Sequence, residues 1–122
     1  RQDYPLSQLE VVVVDDSPVD LRVPSLVIGR QEYNGLAVVY VPLDHVVSIG
    51  EKRNIAVSSA AGELIVHWDD DDIYAPERIA AQVEPILYGV GGEADLTLLE
   101  HQAIYYAAGN ELHLADQRWK RV

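Results

Sequence analysis

Residues Leu9 to Val14 read Leu-Glu-Val-Val-Val-Val and stop at once on Asp15-Asp16-Ser17-Pro18. An unbroken β-branched run ended by turn residues predicts a fully buried strand, closer to a parallel-sheet strand than to an alternating edge strand. Leu36 to Val41 repeats the pattern and is closed by Pro42. Glu63 to Trp68 gives a third such run, which passes directly into Asp69-Asp70-Asp71-Asp72. Between the first two, Pro24 and Gly29 leave room in Val19 to Gly35 for only a short helix.

Ile49 to Ala61 reads as a helix opened by Gly50 and Glu51, with Ala56, Ala60 and Ala61 as close-packing positions and Gly62 as its C-cap. A second helix starts near Pro76 and Glu77 and carries Ile79, Val83, Ile86 and Leu87 at i, i+4, i+7 and i+8; Gly89 to Gly92 end it. Asp95 to Trp119 reads as two or three antiparallel strands turning at Gly109-Asn110. Strand, crossover, strand, helix, strand, helix is an α/β pattern. It predicts a mostly parallel sheet with flanking helices and a short antiparallel C-terminal tail.

Composition narrows the function. Nine basic side chains against 20 acidic ones give a formal charge of −11, which argues against a sequence-independent nucleic-acid binder and against an anionic membrane surface. With no Cys, disulfides and cysteine-ligated zinc are excluded. No apolar run approaches the roughly 20 residues of a membrane span and no signal peptide opens the chain, so a cytoplasmic location is expected.

Four consecutive aspartates at the carboxyl end of a strand stand where open α/β sheets bind ligands. Like charges so close call for solvent, a helix N-terminus or a bound cation, and hard carboxylate oxygens suit Mg²⁺ or Mn²⁺ completed by substrate phosphates. The plain alternative is a solvated loop that caps the following helix. Asp15-Asp16-Ser17, alone, is an Asx turn; with the tetra-aspartate it predicts two acidic strand ends on one sheet edge. His67, Trp68, Trp119 and the Tyr105-Tyr106 pair read as strand packing, and His101 and His113 as weak candidates for a further metal ligand.

Gly50-Glu51-Lys52-Arg53-Asn54-Ile55-Ala56, the run Ala61-Gly62-Glu63-Leu64-Ile65-Val66-His67-Trp68-Asp69-Asp70-Asp71-Asp72, and Tyr74-Ala75-Pro76-Glu77-Arg78-Ile79 together resemble the family-2 glycosyltransferases of GT-A fold. Gln2-Asp3-Tyr4-Pro5 and Leu9 to Ser17 resemble the end of that family's first helix and its second strand. The resemblance implies a GT-A-like (Rossmann-like) domain that binds a nucleoside diphosphate sugar and transfers the sugar, with inversion, to an acceptor hydroxyl. Carried over by position, Asp16 would accept a hydrogen bond from the nucleotide base, with Asp15 beside it. Arg53 would lie near the sugar diphosphate, unless it only forms a surface salt bridge. Asp69, Asp70 and Asp71 would form the D-x-D region, Asp71 contacting Mn²⁺ or Mg²⁺ and Asp69 the ribose, sugar or metal.

The chain departs from the family in lacking a first strand with a Pro-x-Tyr turn and in stopping at Val122, before the usual general base. It also has no Met and starts at Arg1-Gln2. Residues 1–122 are therefore expected to be one donor-binding domain truncated at both ends, with its catalytic base elsewhere. Two other readings stay open at this level. One is a non-catalytic fragment of the same fold serving as an interaction or homo-oligomer-forming module, because a missing strand leaves a sheet edge to pair. The other is a sugar nucleotidyltransferase, although no Gly-rich nucleotide loop is visible.

Overall fold

A computed structural model describes residues 2–89, 94–99, 101–106 and 108–116, with side chains described outside 101–106 and 114–116. The chain forms two compact units, Arg1–Glu77 and Arg78–Val122.

The first unit is built on a three-stranded sheet of β1 (Glu10–Asp15), β2 (Gly29–Tyr33) and β3 (Leu36–Pro42), in the order β1-β3-β2. β1 runs parallel to β3, Val13 opposite Tyr40 and Asp15 opposite Pro42. β2 runs antiparallel to β3, so the described sheet is mixed rather than mostly parallel. The antiparallel strand arises at Asn34-Gly35, a two-residue loop with both φ positive, +52° and +80°. That is the turn whose twist matches a hairpin, and Asn-Gly is its preferred sequence. Residues 19–35 therefore hold a single 3-10 turn (Val19–Leu21) and a strand, not the short helix alone that Pro24 and Gly29 suggested.

Being central, β3 carries the core: Val38, Val39 and Tyr40 are buried. Among the described residues β1 has a neighbouring strand on one side only and is half-buried along most of its length, so the expectation of a fully buried first strand is corrected by its edge position. The Glu63–Trp68 run forms no strand: it bends at Glu63 and Leu64 and joins no described sheet, with Leu64 and Val66 half-buried and Ile65 and Trp68 exposed. The expected third strand is therefore absent among the described residues, because no pattern on one segment reports whether a partner ladder forms.

α1 (Ile49–Ser59) packs on β1. Ser48 caps it, the hydroxyl accepting from the Glu51 amide at 3.2 Å, as the Ser-x-x-Glu spacing of a capping box permits. Its C-cap is Ala60 rather than Gly62. The chain leaves this helix through an extended residue, so no left-handed glycine is needed. Lys52, Ile55, Ala56 and Ser59 are half-buried at i, i+3, i+4 and i+7 and form the inward face.

The second unit contains α2 (Arg78–Tyr88) and the hairpin of β4 (His101–Tyr106) and β5 (Glu111–Asp116). Ile79 and Val83 are buried in it and Ile86 half-buried, while Leu87 is exposed. Pro85 lies inside α2, and Gly89, at φ +62°, ends it. The expected Gly109-Asn110 turn is present, with Asn110 at φ +52°; residues 94–99 add no third strand. Trp119 and residues 90–93 lie outside the described residues.

Candidate functional site

β1 delivers Asp15 and Asp16 to the end of the sheet, and the two carboxylates then diverge. Asp15 closes an Asx turn, Oδ1 accepting from the Ser17 amide at 2.9 Å, while Oδ2 accepts from the Tyr40 hydroxyl at 2.8 Å. Its backbone carbonyl takes the Leu43 amide at 2.8 Å. Burial pushes the Asp15 carboxyl up, but the Ser17 and Tyr40 hydrogen bonds and the Arg22 charge outweigh it and leave it below the usual carboxylate range. Arg22 straps the turn from outside: Nε donates to the Ser17 carbonyl at 3.0 Å and Nη2 to the Leu43 carbonyl. Sequence reasoning did not single out Arg22, and nothing in its neighbours marks it.

Asp16 turns toward α1. Its Oδ1 lies 2.6 Å from Lys52 Nζ and its Oδ2 accepts from the Val47 amide at 3.2 Å. The Lys52 hydrogen bond is the largest cause, and the Val47 amide the next, holding the Asp16 carboxyl below its ordinary value. Lys52 was legible only as part of the helix. Its place on the inward stripe of α1 is the signal that aims it at the strand end.

The next residue along α1 reaches the other acidic cluster, with Arg53 Nη2 3.3 Å from Asp69 Oδ1. Tyr74 ties the two ends of the tetra-aspartate loop: its hydroxyl accepts from the Asp69 amide at 3.2 Å and donates to Asp72 Oδ2 at 2.9 Å. Its ring meets Trp68 edge-on with centroids 4.2 Å apart. Asp70 and Asp71 are exposed. Among the described residues no three acidic or imidazole side chains gather as a metal-binding group. His67 is exposed, and His113 lies 3.1 Å from Glu111 on the hairpin; the side chains of His101, Tyr105 and Tyr106 are outside the described residues.

Lys52 and Arg53, consecutive on one helix, thus hold Asp16 and Asp69. Five of the six candidate residues, all but Asp15, lie on the helix-and-loop chain so formed, and Asp15 instead anchors the strand end to the core. Two surface hollows of this unit are lined by Gln2 to Leu6 and by residues around Leu9 and Arg30, and neither lining includes a candidate residue.

The sequence family described as Glycosyl transferase family 2 matches residues 1–95. The chain belongs to that family. Two curated relatives, the poly(ribitol-phosphate) beta-N-acetylglucosaminyltransferases TarS of Staphylococcus aureus strains Mu50 and MW2, are each 34% identical to it over 80 residues. The match takes in 65% of this chain, and the chain spans only 13% of the length of those relatives. No solved structure matches the chain. No described helix is long and apolar enough to cross a membrane.

Proposed function

We propose that residues 1–77 form the donor-binding part of a GT-A-type glycosyltransferase. It would move a sugar, with inversion, from a nucleoside diphosphate sugar to an acceptor hydroxyl, in a cytoplasmic setting. The observation that carries this reading is the joining of Asp16, at the end of β1, and Asp69, in the aspartate loop, through Lys52 and Arg53. Asp16 would accept from the base, Asp69 from the ribose or sugar, and Arg53 would exchange Asp69 for a phosphate oxygen, a charge-assisted contact its planar fork suits.

The donor set also fits a hard divalent cation. Asp69 and Asp71 supply carboxylate oxygens, and Mg²⁺ or Mn²⁺ is commonly held by one or two carboxylates plus substrate phosphates. When bound, such an ion would neutralise charge on the departing diphosphate. In the transfer itself the acceptor oxygen bonds to the anomeric carbon, the bond from that carbon to the phosphate oxygen breaks, and the acceptor proton goes to a base that no residue here is assigned to supply. Because the relatives are named as N-acetylglucosaminyltransferases, an N-acetylglucosamine donor is the first to try.

Calorimetric titration with UDP-, GDP- and dTDP-sugars, UDP-N-acetylglucosamine among them, with and without Mn²⁺, tests the reading. One of them binds, and Asp71→Asn removes the metal-dependent part. Binding of no nucleotide, or binding indifferent to Asp71→Asn, overturns it.

A further inference from the structure

Lys52 is the one charged side chain on the inward face of α1, where Ile55, Ala56 and Ser59 make up the rest. Its side chain is 32% exposed and that of Asp16 13%, so the pair is drawn largely out of water and its 2.6 Å contact is short even for a charge-assisted bond. With Val47 on Oδ2, both oxygens of Asp16 already have partners inside the protein. The neighbouring cation, Arg53, is likewise held by an acid. An edge whose cations are neutralised in this way presents a diphosphate with little free positive charge, and presents a base with an acceptor already engaged.

We infer that Lys52 is an exchange residue for the donor: an incoming nucleobase N–H takes over Asp16 Oδ1, and the released ammonium turns to the donor's diphosphate. The inference rests on the donor-binding reading above and adds a coupling to it. A nucleoside without phosphates must break the Lys52–Asp16 pair and leaves the ammonium with no new partner. A nucleoside diphosphate breaks the same pair and supplies one. Removing the ammonium therefore helps the nucleoside and harms the diphosphate, whereas a lysine that merely propped up Asp16 would, when removed, weaken both.

Uridine, guanosine and thymidine and their 5′-diphosphates are titrated against wild type and Lys52→Met. The nucleoside that binds is expected to bind at least three-fold more tightly to the variant, and the preference for its diphosphate to fall at least ten-fold. Equal weakening of both, or no change in either, overturns the exchange while leaving donor binding intact. If none of the six binds wild type, donor binding fails and the exchange falls with it. Should Lys52→Met not fold, the wild-type chain answers alone: it has only two lysines, Lys52 and Lys120. In ¹⁵N-lysine-labelled protein the Lys52 ammonium signal is expected to move on saturation with the diphosphate, and an unmoved signal overturns the exchange.

Discussion

The Tyr40 hydroxyl donates to Asp15 Oδ2 at 2.8 Å from a position two residues back along the parallel ladder, since Tyr40 lies opposite Val13 and Pro42 opposite Asp15. Side chains two apart share a face of the sheet, so the most buried of the core residues, at 3% exposure, reaches diagonally to the acid at the strand end. The core and the site edge are joined by one hydrogen bond.

Tyr40→Phe keeps the ring and removes that bond, leaving Asp15 Oδ2 without its donor. At neutral pH the melting temperature should fall by on the order of 5 °C. The folded Asp15 carboxyl lies below its ordinary value of 3.8. Its contribution is therefore complete above that value and fades as pH falls through the folded one. The difference in melting temperature between wild type and Tyr40→Phe should shrink below about pH 3.8. A difference that grows on acidification would contradict the ionised Asp15.

Burial, followed by the Asp15 hydrogen bond, pushes the Tyr40 hydroxyl above 10.0. An unfolded Tyr40 would ionise first, so this contribution to stability is whole below 10.0 and is lost as pH rises through the folded value. Ultraviolet titration should find one tyrosine still protonated after the exposed ones have ionised, and Tyr40→Phe should abolish that late phase.

Arg53 and Asp69 are 47% and 57% exposed, and a solvent-screened pair of this kind contributes little to folding. Arg53→Ala should change unfolding free energy by no more than about 0.5 kcal/mol. In contrast, affinity for the nucleoside diphosphate that binds should fall about ten-fold, the loss of one charge-assisted contact. Denaturant melts and calorimetry on one sample separate the two effects.

At Gly35, φ is +80° and an added Cβ would meet nothing within 4 Å. The cost of Gly35→Ala is thus backbone strain alone, about 1 kcal/mol. The cost should appear in urea melts with an unchanged slope. A larger loss would mean that the turn does more than close β2 onto β3.

Pro85 has no N–H to offer the Ala81 carbonyl and leaves a gap in the helical ladder. Pro85→Ala should stabilise α2 by about 1–3 kcal/mol and deepen the helical circular dichroism signal.

How far the sequence reached depends on the kind of signal each element carries. β1, β3 and α1 were legible because β-branched runs and caps act locally, and Ser48 and Glu51 mark the start of α1 even more closely than Gly50 does. β2 was missed although Asn34-Gly35 is a strong hairpin signal, because Gly29 and the polar Arg30-Gln31-Glu32 run hide the strand that leads into it. Glu63–Trp68 went the other way. Its apolar run reads as a buried strand, but a ladder needs a neighbour, and neighbours are not written in one segment. At the site, the acids stood out by their clustering. Of the partners that divide them, Arg22 and Tyr74 are near neighbours in sequence with nothing to mark them, while Tyr40 and Lys52 are brought to the acids only by the fold, at separations of 25 and 36 positions.

Successive residues of an α-helix project about 100° apart around its axis. Lys52 and Arg53 therefore pin α1 from two different sides, to the end of β1 and to the aspartate loop. Rolling the helix about its axis must lengthen at least one of the two pins. The two contacts therefore mark the azimuth at which α1 sits, on a helix whose inward face is otherwise made of small and modestly apolar groups.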